Sequence, residues 1–128
     1  MNTGDINELR AMQYYQAKGC QIFTPLGGDK GTDFIAVDNG EAHFIQVKTV
    51  GTRKYKDVIY SMAALRKSDG SAYNAKEVDV FFVVGPKVSY EIPADAIPEG
   101  SKCIMLDANT KGYKPRHGLD VSEWEVSL

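Results

Sequence analysis

The strongest constraint on the fold of this chain is the segment 33–48, DFIAVDNGEAHFIQVK, which predicts two strands joined by a tight turn. Asn39 and Gly40 favour a type I′ hairpin, because both central positions of that turn need a positive φ. Side chains alternate between the faces of a strand, so Gln46 and Lys48 share one face and the apolar residues beside them share the other. The hairpin begins with the acid Asp33 and carries the amide of Gln46 and the ammonium of Lys48 near its end. These three polar groups would be unfavourable in a hydrophobic core. They suit a divalent metal held beside a phosphate.

The order of the remaining segments predicts an α/β or α+β fold with one central mixed sheet flanked by helices. The predicted elements are a helix over 4–18 with an apolar stripe at Ile6, Leu9 and Met12, strands over 20–25, 33–38 and 42–50, a helix over 57–67, strands over 78–84, 88–92 and 103–106, and an amphipathic helix over 119–128. Asp5 can cap the first helix, and Gly19 suits the left-handed position after it. A length of 128 residues fits a single domain over 1–128.

The composition is that of an ordinary soluble protein, with 43% hydrophobic and 25% charged residues. No apolar run approaches the roughly 20 residues that span a bilayer, so no membrane association is expected. The N-terminus lacks a basic and apolar leader, which favours a cytoplasmic location. Association with the nucleoid and a phage origin are both compatible with this location. Cys20 and Cys103 are isolated in sequence, so free thiols are favoured, although a disulfide between them stays open.

The net charge is −2, but the charged residues are distributed unevenly along the chain. Residues 41–67 carry 6 basic and 2 acidic groups, a local charge of +4 directly after the candidate site. Screening limits the reach of charges to about 8–10 Å, so local concentration matters more than the total for a polyanionic partner. A solvated basic surface is the competing interpretation. The candidate DNA-contacting residues are Lys30, Arg53, Lys54, Lys56, Arg66 and Lys67.

Phosphodiester cleavage needs an activated water and neutralisation of the developing charge, and a divalent cation supplies both. Mg²⁺ keeps several waters, so one or two carboxylates suffice to hold it. Asp33 is the primary candidate ligand, with the side-chain oxygen of Gln46 and the backbone carbonyl of Val47 as neutral ligands. Lys48 is placed to position and activate the water and to offset phosphate charge.

Asp33, followed after twelve residues by Gln46-Val47-Lys48, resembles the PD-(D/E)XK nuclease superfamily, in which an acid opens a hairpin and an acid-x-lysine ends it. Glu8 occupies the place of the glutamate that is common on the first helix. The pattern is most similar to archaeal-type Holliday junction resolvases and to small intron-encoded homing endonucleases with Gln-x-Lys. The resemblance implies a restriction-endonuclease-like fold, Mg²⁺ with Mn²⁺ able to substitute, and catalysis by Glu8, Asp33, Gln46 and Lys48. Glu8 would join the metal ligands.

The chain departs from the superfamily pattern at two positions. Thr32 stands where proline is usual before the first acid, which is a frequent variation. Gln46 replaces the second carboxylate, which removes a negative charge and favours one bound metal over two. Glutamine at this place is compatible with activity in the homing endonuclease branch.

Each candidate also has a purely structural interpretation. Asp5-x-x-Glu8 has the spacing of a capping box, which would satisfy backbone amides and nothing more. Asp33 could stabilise a turn, and Lys48 by itself would be a surface lysine. His117 lies in a basic cluster that is better explained as a solvated loop.

These observations predict a Mg²⁺-dependent DNA endonuclease that works as a homodimer or higher symmetric oligomer, since one site per chain cuts one strand. Holliday junction resolution is favoured, because the chain has no room for an added recognition domain and backbone contacts suffice for branched DNA. A sequence-specific homing or restriction-type endonuclease that cuts duplex DNA is the alternative. Two further alternatives are a catalytically silent DNA-binding module of the same fold and a protein-interaction domain.

Overall fold

The computed structural model describes residues 2–27, 31–65, 70, 77–108, 111–112 and 119–128. A helix, α1 (Thr3–Ala17), begins the chain. The strands are β1 (Gln21–Phe23), β2 (Phe34–Asp38), β3 (Glu41–Thr49), β4 (Gly51–Tyr55), β5 (Val58–Ala64), β6 (Val80–Val84), β7 (Ser89–Pro93), β8 (Cys103–Met105) and β9 (Glu125–Val126).

Two sheets are built from these strands. The larger has the order β1-β2-β3-β6-β7-β9, and the smaller has the order β4-β5-β8. In the larger sheet β3 and β6 run parallel, and the remaining neighbours run antiparallel. The mixed central sheet of the predicted restriction-endonuclease-like fold is therefore present. Asn39 and Gly40 have φ of 50° and 81°, so both central residues of the β2–β3 turn adopt the positive φ that a type I′ turn requires.

Helix α1 begins differently from the prediction. Asn2 has extended backbone angles, and its side-chain oxygen accepts the N–H of Asp5 at 2.8 Å, so Asn2 is the N-cap. The prediction that Asp5 caps the helix is wrong. Asp5 lies inside the first turn of α1. A capping box that pairs Asp5 with Glu8 is therefore not formed, because it needs Asp5 at the N-cap. Gly19 follows the C-cap residue with φ of 93°, as predicted.

The buried stripe of α1 also differs from the predicted one. Ile6 and Leu9 are 45% and 48% exposed, and the buried residues are Asn7, Ala11 and Tyr15. These three follow the spacing of four that places residues on one helix face. Helix α1 covers one face of the larger sheet, and its core cluster contains Ala11, Tyr15, Phe34, Ala36, Ile45, Phe82 and Val84.

The second predicted helix, over 57–67, is wrong for its described part. Residues 58–64 form β5, which pairs with β4 on one side and with β8 on the other. The segment begins with Val58, Ile59 and Tyr60, which favour strands. The smaller sheet covers the other face of the larger one near β6 and β7, where Ala63, Leu65, Phe81, Val83, Ile92 and Ile104 belong to one core cluster.

The predicted helix over 119–128 is also wrong, because residues 122–124 form a 3-10 turn and β9 then joins the larger sheet beside β7. Cys20 and Cys103 are free thiols, as favoured by the sequence. Among the described residues, no helix has the length and apolar character that crossing a membrane requires.

Candidate active site at the end of the β2–β3 hairpin

Asp33 lies immediately before β2 and is fixed to β3 by two hydrogen bonds. Its backbone N–H donates to the carbonyl of Ile45 at 2.9 Å. Its carboxylate oxygen Oδ2 accepts the N–H of Val47 at 2.7 Å. The carboxylate is thus held against the backbone one residue before Lys48. The hairpin register creates this proximity, since Phe34 pairs with Ile45 at the end of the β2–β3 ladder.

Gln46 and Lys48 lie on the β3 face opposite the buried Ile45. Ile45 packs in the core beneath α1, so strand alternation places its neighbours on the other face. Both side chains belong to half-buried residues. The polar pair therefore shares one face, as the sequence predicted, at the end of β3 where the chain leaves for β4.

Asp33 and Lys48 influence each other electrostatically. Burial raises the pKa of Asp33, and the Val47 N–H and the Lys48 ammonium oppose that rise. Burial lowers the pKa of Lys48, and the Asp33 carboxylate opposes that fall. Each partner thus favours the charged form of the other inside a partly desolvated site. Perturbed titratable groups of this kind are typical of functional sites.

Glu8, which lies on α1, interacts electrostatically with Asp33. Burial raises the pKa of Glu8, and the charge of Asp33 raises it further, followed by that of Asp5. Two carboxylates from different elements therefore repel each other, and a bound cation would relieve this repulsion. Asp33 is thus coupled electrostatically to Glu8 and to Lys48. The assignment of all three to one catalytic site stays a prediction.

The residues present fit a hard divalent cation. Two carboxylates and an amide oxygen are the donor types that Mg²⁺ prefers, and this ion keeps water in its remaining positions. Within the described ranges, no three His, Cys, Asp or Glu side chains gather in a group that could hold a metal. The ligand roles of Glu8, Asp33, Gln46 and the Val47 carbonyl stay predictions.

A hydrogen bond that the sequence did not reveal connects α1 to β3 beside the site. Asn7 is 6% exposed, and its Nδ2 donates to Oγ1 of Thr49 at 3.0 Å. Asn7 precedes Glu8, and Thr49 follows Lys48, so this contact fixes the helix that carries Glu8 to the strand that carries Lys48. The spacing of Asn7 with Ala11 and Tyr15 is the sequence signal that could have indicated it.

The predicted DNA-contacting residues are only partly described. Arg53, Lys54 and Lys56 are exposed on the β4–β5 hairpin. Lys54 Nζ lies 3.7 Å from Asp57 in an exposed ion pair, and Lys56 Nζ lies 5.4 Å from the Tyr55 ring centroid. Three of the candidates, together with the histidine discussed above, lie outside the described residues: Lys30, Arg66, Lys67 and His117.

Comparison with known proteins identifies the family and the fold. A family model described as PD-(D/E)XK endonuclease matches residues 1–127. The solved structure of the bacterial homing endonuclease I-Ssp6803I is similar, with a TM-score of 0.63 and 21% sequence identity over 80% of this chain and 71% of that chain. At this identity the likeness shows a shared fold. No curated protein matches the chain.

Proposed function

The chain belongs to the PD-(D/E)XK endonuclease family, and from this premise we propose that it hydrolyses phosphodiester bonds in DNA with Mg²⁺. The observation that carries the proposal is the position of Asp33, whose carboxylate accepts the Val47 N–H at 2.7 Å, one residue before Lys48. The charge of Lys48 opposes the rise in the pKa of Asp33, and the charge of Asp33 raises the pKa of Glu8, which supports placing the three residues in one site. Mn²⁺ would substitute, because its preference for oxygen ligands is similar.

The proposed roles of the side chains are metal binding, for four ligands, and orientation of the attacking water, for Lys48. Asp33, Glu8, the Gln46 side-chain oxygen and the Val47 carbonyl would hold the ion, which when bound polarises the scissile phosphate and acidifies water. The Val47 N–H keeps the Asp33 carboxylate oriented through its 2.7 Å hydrogen bond. Lys48 orients the attacking water and offsets phosphate charge. The partial burial that lowers the pKa of Lys48 also strengthens its interaction with a bound anion.

Two substrates are consistent with this site. The first is a four-way DNA junction, for which backbone contacts are sufficient and which the sequence pattern favours. The second is a specific duplex site, which is supported by the Gln-x-Lys pair and by the fold shared with a homing endonuclease. Both need paired cuts, so we propose a homodimer or a higher symmetric oligomer with one active site per chain.

The test compares cleavage of a four-way junction and a matched linear duplex, each with Mg²⁺ and with a chelator. Lys48→Ala and Asp33→Asn should each lower cleavage by at least about 100-fold while DNA binding persists. Lys102→Ala, which removes an exposed lysine of the smaller sheet region, is the control and should cut normally.

Paired nicks near the branch would establish the junction as the substrate, and a cut at one linear site would establish the duplex. Binding without cleavage of either DNA in Mg²⁺ or Mn²⁺ would overturn the proposal in favour of a silent DNA-binding module. Absence of any salt-dependent DNA binding would indicate a protein-interaction domain.

A further inference from the structure

We propose that a cavity beside Lys48, where the smaller sheet meets the β6–β7 turn, binds one unstacked nucleobase of the DNA substrate next to the phosphate that is cut. This inference rests on the proposed nuclease function and adds to it a contact with a base. The name "base cavity" is used below for the space lined by Val50, Ser61, Lys87, Val88, Tyr90 and Leu106.

The base cavity lies on the same face of the larger sheet as Lys48. Val50 follows Lys48 by two residues and packs against the core cluster of Val83 and Tyr90, on the face away from α1. Its N–H donates to the carbonyl of Val84 at 3.0 Å, so the chain still follows β6 at this point. In the sheet register, Lys48 pairs with Val83, and Val83 pairs with Tyr90. Neighbouring strands lie about 4.8 Å apart, so the backbone of Tyr90 is roughly 10 Å from that of Lys48. A phosphate at Lys48 thus brings the adjoining bases beside the cavity.

The size and the walls of the base cavity suit a flat, uncharged ring. Its volume is about 240 Å³. This is below the roughly 300–1,000 Å³ that is typical of pockets for drug-sized ligands. Apolar side chains supply most of the wall, from Val50, Pro86, Val88 and Leu106, and Tyr90 is its aromatic residue. Enzymes that take a base out of the stack hold it between apolar and aromatic side chains of this kind.

The charges around the base cavity separate the base from its phosphates. Burial raises the pKa of Tyr90, and the charges of Glu125 and Asp107 raise it further, so the phenol is neutral at pH 7 and can donate a hydrogen bond. These two acids disfavour a phosphate inside the cavity, although Lys111 Nζ, 3.0 Å from Asp107, offsets one of them. Lys87, in contrast, is exposed at the rim, where a cation attracts the DNA backbone. The cavity therefore accepts the uncharged base and leaves the phosphates outside.

The rim of the base cavity is held in shape by hydrogen bonds within the chain. The N–H of Gly85 donates to Oγ of Ser89 at 3.2 Å, and Ser89 is 2% exposed. This contact closes the turn that carries residues 86–88. On the opposite side, the N–H of Ser61 donates to the Asp107 carboxylate at 2.8 Å. The walls thus need no rearrangement to accept a ligand, and the main cost of binding is the unstacking of the base.

The experiment uses the full chain with Lys48→Ala, which prevents cutting, on the DNA that the wild type cuts or, if it cuts none, binds most tightly. 2-Aminopurine, whose fluorescence is quenched by stacking, is placed at each position of that DNA in turn. We expect a several-fold rise in fluorescence on binding at one position, beside the cut bond. Adding Val88→Met, which fills the cavity without an aromatic ring that could itself stack, should abolish the rise and weaken binding about tenfold. Val88 is 38% exposed, so folding should be retained, and circular dichroism checks this.

The matched control is Val88→Ala, which removes the contacts of the same valine and leaves the cavity open. It should keep the rise in fluorescence. No rise at any position, or a rise that survives Val88→Met, would overturn the inference. Loss of the rise in both variants would overturn it as well, because Val88 would then contact DNA without the cavity. Wild-type cutting in Mg²⁺ is measured in parallel: a rise without cutting contradicts only the nuclease proposal, and cutting without a rise contradicts only this inference.

Discussion

At the scale of single residues, the contact between Asn7 and Thr49 is the least expected feature of the site. Asn7 Nδ2 and Thr49 Oγ1 are 3.0 Å apart, and Asn7 Oδ1 also accepts a long hydrogen bond of 3.5 Å from Arg10. A buried amide needs partners, so its geometry is strongly determined. Because Glu8 and Lys48 are the chain neighbours of this pair, we assign Asn7 and Thr49 as positioning residues for the site.

We predict that Thr49→Val, which keeps the shape and removes the hydroxyl, lowers the cleavage rate about tenfold or more, because small displacements of catalytic groups are costly. DNA affinity should be unchanged, since Thr49 itself carries no charge. Single-turnover cleavage and fluorescence anisotropy measure the two quantities.

The control for this prediction is Asn2→Ala, which removes the N-cap of the same helix and destabilises it by about 1 kcal/mol. If Asn2→Ala and Thr49→Val lower cleavage equally at equal loss of stability, the Asn7–Thr49 contact has only a structural role.

At the scale of elements, structure that is determined by local sequence was predicted correctly, and structure that depends on distant pairing was not. The β2–β3 hairpin was predicted correctly because Asn39 and Gly40 encode its turn and the turn fixes the register that brings Asp33 to Lys48. The segment of β5 was predicted as a helix because Ala63, Ala64 and the residues after them are helix formers. Pairing with β8, about forty residues later in the chain, overrides that preference.

The difference between local and distant interactions also explains how much of the candidate site could be predicted. The position of Glu8 depends on how α1 packs against the sheet, and that packing uses Asn7, Ala11 and Tyr15 rather than Ile6 and Leu9. The place of Glu8 in the site was expected from the family resemblance and stays a prediction. The structure adds that the charge of Asp33 contributes to raising the pKa of Glu8.

The β6–β7 turn offers a test of packing near the site. A Cβ on Gly85 would overlap the carbonyl oxygen of Val88 and come within 3.1 Å of Val50 Cγ2. We predict that Gly85→Ala lowers the free energy of unfolding by about 2 kcal/mol, because backbone must shift to accept the methyl group. Gly51→Ala is the control, since the nearest atom there is Met62 Sδ at an ordinary 3.6 Å. Urea unfolding measures both, and equal stabilities would contradict the prediction.

A carboxylate connects the smaller sheet to the segment after β8. Asp107 Oδ1 accepts the N–H of Ser61 at 2.8 Å, and Lys111 Nζ lies 3.0 Å from Asp107 Oδ2. Partial burial by itself would raise the pKa of Asp107, but the hydrogen bonds from Lys111 and Ser61 lower it below the ordinary value of 3.8. The folded state thus favours the ionised form. This contribution to stability is complete above pH 3.8 and is lost as the pH falls through the lowered pKa.

We predict that Asp107→Asn is less stable than the wild type by about 1–2 kcal/mol at pH 7. The difference should shrink when urea unfolding is repeated below the ordinary pKa, because the wild-type carboxyl is then protonated as well. Asp95→Asn, which changes an exposed acid of the 3-10 turn after β7, is the control variant. A constant difference at all pH values would mean that the charge of Asp107 is unimportant.

At the scale of the whole molecule, the net charge of −2 means that the protein as a whole does not attract DNA. The exposed cations of the β4–β5 hairpin form a local basic surface beside the end of β3, and we predict that this surface contacts DNA. The larger sheet carries the candidate Asp33–Lys48 site, and the smaller sheet carries the cationic hairpin. The chain order connects them directly, since β4 follows β3 after a single residue, Val50.

The number of active sites per assembly is the remaining property at this scale, and it can be measured with mixed oligomers. Each chain has one Asp33–Lys48 site, so a symmetric dimer that cuts both strands needs two functional chains. We predict that dimers with one wild-type chain and one Lys48→Ala chain, isolated by two different affinity tags, nick a substrate that the wild type cuts on both strands. Wild-type dimers carrying the same two tags are the control and should cut both strands. Because the intact chain still binds and cuts its own strand, the nicking rate should be about half the wild-type rate of first-strand cleavage. Double-strand cleavage by the mixed species at the wild-type rate would mean that a single site cuts both strands, and the symmetric arrangement would then have no catalytic purpose.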